Sequence, residues 1–417
     1  MPPLNTFTRT CLAVALGQMM FVPAHAASII VNDSGDAVTN APPQCTLRDA
    51  IVSANTNAAT GGCISGTAGT DTITFHGTVG ATISLTQALH LDITDDLIIN
   101  GPNSDQLTID GMSNARVFRI SDSIVSLNKL TIKGGAADSN DGGGIYVRSA
   151  SVSLINGKVS DNSARYGGGI DVNSDSSVNL IDSTVSGNSA YISGGGIHAA
   201  ENNYVSVSLI NSTVSDNTAD HRGGGIYVRS SAFVSLINST VSGNSAFGGG
   251  GIAARNVASV SLSNSTVSGN SAGFDGGGIQ SFGRSSVSLS NSIIANSEGS
   301  SDCIYNDYYQ TYNNGTVSMD SATIIQDSSC DAMRSGDPSL LPLAYNGGAT
   351  KSHAITSSSI ARNTGILGSC EPKDQRGQVR DDSFFLPILA SNRKVAIINL
   401  GDGECDVGAV EFNPKDN

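Results

Sequence analysis

The 417-residue sequence predicts an all-β chain wound as a right-handed, single-stranded parallel β-helix. Three observations carry that prediction. Gly triplets end at Gly144, Gly169, Gly196, Gly225, Gly251 and Gly278, at intervals of 25, 27, 29, 26 and 27 residues. Between them recur Val-x-Leu, from Val152/Leu154 to Val287/Leu289, and Val-Ser-x-Asn, from residues 159–162 to 267–270. Each repeat therefore holds three short alternating segments rich in Val and Ile, which read as strands, and no helical period. Strands this short are stable only when each pairs with its copy one coil, about 4.8 Å, further on. The right-handed sense follows the general preference of parallel strand connections.

Composition agrees. There are 48 Gly and no Trp, aromatic residues make up 5% and charged residues 14%, against a usual charged share of about 25%. Such a chain lacks the bulk for two or three conventional cores. Yet 39% of residues are hydrophobic, too many for wholesale disorder. Regular coils with a thin Val, Leu and Ile core satisfy both facts.

Taken in order, residues 1–26 read as a signal peptide. Arg9 is the sole charge, an apolar run spans 11–22, and Ala24-His25-Ala26 gives an A-x-A cleavage site. The run is too short to cross a bilayer, and no second one follows. Residues 27–95 read as an N-terminal cap. Its Thr46-Leu47-Arg48-Asp49 is a capping box opening a short helix, with Leu47, Ala50, Ile51 and Ala54 on one face to plug the first coil. Residues 96–297 hold the coils, and 298–417 form a C-terminal domain.

Six cysteines lie outside the signal: Cys45, Cys63, Cys303, Cys330, Cys370 and Cys405. An even number in an exported chain points to disulfides. Fifteen connectivities are possible, and proximity favours Cys45–Cys63, Cys303–Cys330 and Cys370–Cys405. The second pair spans one coil length and would staple neighbouring coils. No Cys or His spacing suits a metal, and no cofactor is expected.

Within the repeats, Asn162, Asn188, Asn217, Asn244 and Asn270 form one column. A second runs through Asn156, Asp182, Asn211, Asn238, Asn264 and Asn291. Stacked amides can hydrogen-bond along such ladders, and the Gly triplets suit sharp corners needing positive φ. These residues read as structural.

Three modules are similar to parts of this chain. Residues 45–51, Cys-Thr-Leu-Arg-Asp-Ala-Ile, resemble the CSLREA-type domain of exported bacterial β-helix proteins, with Asp49 where that family usually has Glu. The Gly-Gly-Gly-Ile and Val-Ser-x-Asn repeats resemble those of polymorphic outer-membrane proteins, with Val replacing the motif's aromatic residue. The C-terminal third resembles the choice-of-anchor Q domain in Ser301-Asp302-Cys303, in residues 337–343 and 346–348, in Asp374-Gln375-Arg376-Gly377 and in residues 405–411. The resemblance implies a surface or secreted protein of the pectin lyase-like solenoid type and assigns no catalytic residue. Only residues 412–417 follow that domain, without LPxTG or a hydrophobic tail, so secretion, outer-membrane or other surface attachment and periplasmic residence are all open.

Function is sought on the faces. Period-2 alternation turns Tyr146, Asp171, His198, Tyr227 and Gln280 outward on the strand after each triplet, with Arg148, Asn173, Arg229, Arg255 and Phe282 two residues on. The other two faces carry mostly Ser and Thr. Tyr and Arg in rows suit extracellular polysaccharide or cell-surface glycans, aromatic faces taking sugar rings and Arg taking carboxylates. A solvated face without function explains the same mixture. A net charge of −14 argues against nucleic acid, and a monomer is expected.

The reading favoured is an adhesin-like, non-enzymatic scaffold. Its rival is a polysaccharide lyase or hydrolase using Asp171 and His198, by analogy with the fold's frequent use in lyases. Against the rival, Asp171 is the only carboxylate on this strand face, and no calcium nonapeptide or hydrolase motif occurs. A lesser reading takes the Thr and Ser column as an ice-binding surface, broken at Lys158.

Overall fold

The computed structural model describes residues 26–37, 42–137, 140–200, 204–305, 315–366, 368–380, 385–388, 396–399 and 405–412. Apart from Ala26, the expected signal peptide lies outside them. Val-x-Leu strands pair in parallel and in register, Val152 with Val178 and Val178 with Val207, so like side chains stack from coil to coil. Eleven strands form this sheet, from Ser28–Val31 to Thr316–Met319. The Thr-Val-Ser sheet has ten strands and the Gly-triplet sheet nine. Inward Val, Leu and Ile make one continuous core along the solenoid.

Coils begin well before residue 96. Ser28–Val31 pairs with Asp71–Phe75, which pairs with Leu97–Asn100. The helix Leu47–Thr56 is capped by Thr46, whose side chain accepts from the Asp49 amide, and Leu47, Ala50, Ile51 and Ala54 pack into the first coils. All three expected disulfides are present.

The two Asn columns differ. In the first, each buried amide donates to the next, Asn188 Nδ2 to Asn217 Oδ1 at 2.9 Å and Asn217 Nδ2 to Asn244 Oδ1 at 2.9 Å. Each also caps a carbonyl of the preceding coil. The second column makes no such ladder, a correction to the sequence reading. Its residues sit at left-handed corners, with φ from 46 to 52°. The next residue forms the ladder instead, Gly157 after Asn156 and serine after the others: the Gly157 amide donates to Ser183 Oγ, that of Ser183 to Ser212 Oγ, that of Ser212 to Ser239 Oγ, and that of Ser239 to Ser265 Oγ.

A fourth strand per coil, unseen in the sequence, forms a six-stranded ridge from Ala136–Ala137 to Ser271–Asp275. It leaves the coil after the Asn ladder and returns at the Gly triplet. Glycine is required twice over at that return. The first residue of each triplet has positive φ, as in Gly167 at 60°, and a Cβ on the second, such as Gly168, would collide with the Ser189 carbonyl one coil on.

The C-terminal segment lies across the Thr-Val-Ser sheet. Thr213 donates to the Lys351 carbonyl at 2.5 Å, Ser242 pairs with His353 Nε2 at 2.9 Å, and Thr266 Oγ1 accepts from the Ala409 amide at 3.0 Å. Thr213, Thr240, Thr266, Ser215, Ser242 and Ser268 are therefore buried. The ice-binding reading fails here, because the flat array it needs is covered by the chain's own segment.

Candidate functional site: a crevice on the Gly-triplet sheet

In-register pairing stacks one outward column on this sheet: Asp92, Arg119, Tyr146, Asp171, His198, Tyr227, Ala253 and Gln280. This corrects the expectation that Asp171 is the only carboxylate of the face, because the sheet extends back to a strand that follows no Gly triplet and carries Asp92. The expected face residues do share one surface, but most are not open to solvent. Arg148 and Arg229 are exposed, and Tyr146 and Arg255 half-buried. Asp171 is 0% exposed, Tyr227 and Phe282 4%, Asn173 5%, and His198 and Gln280 8%. The ridge is the reason. A Cβ on Gly167 would stand 2.8 Å from Asp171 Cβ, and one on Gly194 would stand 2.7 Å from His198 Cβ. The ridge thus walls the column, and the expected flat face is a crevice.

Its centre is a buried acid–imidazole pair. Asp171 Oδ1 lies 2.5 Å from His198 Nδ1, while its Oδ2 accepts from Asn173 Nδ2. The imidazole is packed between Tyr166, with ring centroids 4.8 Å apart, and Tyr227, at 5.6 Å. With Nδ1 donating to the carboxylate, Nε2 is left as acceptor. It has no hydrogen-bond partner among the described residues and is not sealed from solvent. This is the arrangement a general base requires.

Asp141, on the turn before the first triplet, was missed by the sequence reading. Burial pushes its carboxyl pKa up, the charge on Asp171 adds to this, and His198, Arg165 and Arg116 oppose it. Its Oδ1 is buried without a hydrogen-bond partner. Arg116 lies beside it, donating through Nη2 to the Asp141 carbonyl and through Nε to that of Gly142 at 3.0 Å. The Arg116 guanidinium also covers the Tyr146 ring at 4.5 Å. Further along, Arg222 and Arg255 approach the Phe282 ring at 5.0 and 5.1 Å. Tyr166 and Arg222 each directly precede a Gly triplet, and that position was the one available sequence signal.

Among the described residues, no group of three or more His, Cys, Asp and Glu side chains is placed to share a metal ion. None of their helices is long and apolar enough to cross a membrane.

Residues 95–252 and 168–339 each match the family model for the right handed beta helix region, together spanning more than half of the chain. The chain belongs to the right-handed β-helix family. No curated protein matches it. Among solved structures, the crystal structure of pectate lyase Pel9A is similar, with a TM-score of 0.52 and 13% identity over 94% of this chain and 98% of that one. At that identity the likeness is one of fold.

Proposed function

We infer that the chain is an exported β-helix scaffold, secreted or surface-held, that binds an acidic polysaccharide in the crevice of its Gly-triplet sheet. The sequence resemblances to surface proteins and the disulfides fit an oxidising, extracytoplasmic setting. One observation carries the ligand class. In a chain of net charge −14, the floor, the ridge and their adjoining turns gather Arg116, Arg119, Arg148, Arg165, Arg222, Arg229 and Arg255 and no Lys. Against them stand the carboxylates Asp92, Asp141, Asp171, Asp220 and Asp275, of which Asp92 pairs with Arg119. Arg is the side chain suited to carboxylates and to stacking with rings, and a walled crevice focuses its field.

The test is binding to polygalacturonate and alginate against dextran. Acidic polymers should bind and dextran should not, with affinity falling as salt rises. Arg148→Gln with Arg229→Gln should weaken binding about tenfold, as expected for two charge-assisted contacts at a partly solvated rim. Equal binding of neutral and acidic polymers would overturn the reading.

The Asp171–His198 pair favours a second reading, eliminative cleavage of the bound uronate, the reaction class of the lyase whose fold this chain shares. His198 Nε2 would take the C5 proton, and the electron pair left behind would form the C4=C5 bond. The C4–O bond would then break, with Asp141 protonating the leaving oxygen. Appearance of the unsaturated product, lost in His198→Ala, would support cleavage. Binding without turnover leaves the scaffold alone.

A further inference from the structure

The crevice has an end. Where the ridge begins, Ala88, His90, Ser113, Asn114, Arg116 and Asn140 line a pocket of about 440 Å³, with Ala115, Ala136 and Ala137 completing its walls. That volume falls within the span of small-molecule sites, about 300–1,000 Å³. Arg116 joins pocket to crevice, since it borders the one and covers the Tyr146 ring of the other.

The pocket is held rigid from both sides. Arg116 is pinned by the Gly142 and Asp141 carbonyls, so its guanidinium has a fixed orientation, and its Nη1 makes no hydrogen bond among the described residues. On the opposite wall, Arg48 donates to the Leu89 carbonyl at 2.8 Å and to the His90 carbonyl at 2.9 Å. Arg48 is itself buried against Asp36 at 2.7 Å. The arginine of the capping-box helix thus positions a pocket wall about forty residues away in sequence. Burial first, and then Arg116, hold the His90 pKa below its usual value, so the imidazole is neutral near pH 7 and can both donate and accept. The Asn114 side chain is exposed and its carboxamide makes no hydrogen bond among the described residues, while its backbone N–H donates to the Gly111 carbonyl at 3.0 Å.

A fixed cation, a neutral imidazole, an amide and small Ala walls suit a hydroxylated ring bearing one carboxylate. We propose that this pocket takes the terminal uronic acid of the polysaccharide, so that the protein recognises chain ends rather than chain interiors. The proposal rests on the acidic-polysaccharide reading above. Preorganisation by Arg48 and by the two carbonyls keeps the ordering cost of such a site low.

The test uses the full chain with free sugars as probes. Galacturonate and glucuronate should bind in a calorimetric or saturation-transfer experiment, and galactose and glucose should be at least about tenfold weaker, the value of one charge-assisted contact. Arg116→Gln should erase that preference. Because Arg116 also caps two carbonyls, Ala88→Trp, which fills the pocket mouth, gives a second variant that should remove uronate binding while keeping the wild-type melting temperature. At equal mass, shorter oligogalacturonates should saturate more protein, in proportion to their number of ends. Uronates binding no better than neutral sugars, or binding capacity independent of chain length, would overturn the pocket. If the polymer still bound through Arg148 and Arg229, the crevice reading would survive that result; if no acidic polymer bound at all, both would fall.

Discussion

His198 Nδ1 lies 2.5 Å from Oδ1 of Asp171, its in-register neighbour on the preceding coil. The pair is covered by the ridge, so the carboxylate's charge is held beneath a surface otherwise rich in Arg. That placement gives Asp171 opposite effects on binding and on any chemistry. Asp171→Asn removes a negative charge while keeping the side-chain shape, and should tighten acidic polymer binding about threefold at low salt, the scale of one screened charge nearby. It should also abolish turnover if turnover exists, because His198 loses the partner that orients it. Weaker binding in this variant would mean that the polymer does not lie over the pair.

The Asn ladder sets a second expectation. Asn217 Nδ2 donates to the Val185 carbonyl at 3.0 Å and to Asn244 Oδ1 at 2.9 Å, while its Oδ1 accepts from the Asn188 amide at 2.9 Å. All of these groups are buried between coils. Asn217→Ala should cost about 2–4 kcal/mol, since several partners lose their bonds away from water. Urea unfolding measures it; a loss below about 0.5 kcal/mol, the level of an ordinary surface change, would show that the ladder is not holding the coils.

What was legible in the sequence was whatever repeats. Val152, Val178 and Val207 announce a strand because each is the next one's partner, and Asn162 to Asn270 announce a ladder for the same reason. The helix at Leu47 was visible because its cap is local. The ridge escaped because its outward residues share no pattern: Arg165, Tyr191, Asp220 and Phe247 occupy equivalent places. Without the ridge, Asp171 and Tyr227 read as exposed, and Asp141 could not be placed at all. The covering of the Thr face was hidden for a different reason. It depends on contacts such as Gln375 with Ser212, 163 residues apart, which no local period encodes.

Gln375 makes that cover testable. It is 2% exposed, and its Nε2 donates to Thr213 Oγ1 at 3.0 Å and Thr350 Oγ1 at 2.8 Å, while its Oε1 accepts from Thr240 at 2.6 Å. Gln375→Ala should weaken docking by about 2 kcal/mol, because the hydroxyls left behind are buried. The loss should be local. Hydrogen exchange at residues 213–215 and 240–242 should quicken, and protease should cut within 340–380 before the solenoid unfolds. Unchanged protection there would mean that the disulfide and the remaining contacts hold the segment without Gln375.

The last coil carries a pH dependence of its own. Asp302, beside the Cys303–Cys330 bridge, is 3% exposed, and its Oδ1 accepts from the Ser297 amide at 2.9 Å. Burial above all pushes its carboxyl up to about 6; the Ser297 hydrogen bonds oppose this, and the charge of Asp327 adds to it. The folded chain therefore holds this proton more tightly than the unfolded chain, whose value is near 3.8. The resulting stability is fully present below 3.8 and is lost as pH rises through about 6. Asp302→Asn keeps an oxygen to accept from Ser297 and removes the titration. The variant should lose less stability than wild type between pH 4 and pH 7, by an amount on the order of 1–2 kcal/mol after allowance for residual solvation. Thermal melts at the two pH values decide it. Equal pH slopes in the two proteins would place the titrating group elsewhere, whereas a flatter slope in Asp302→Asn would assign this part of the pH dependence to the Asp302 carboxyl.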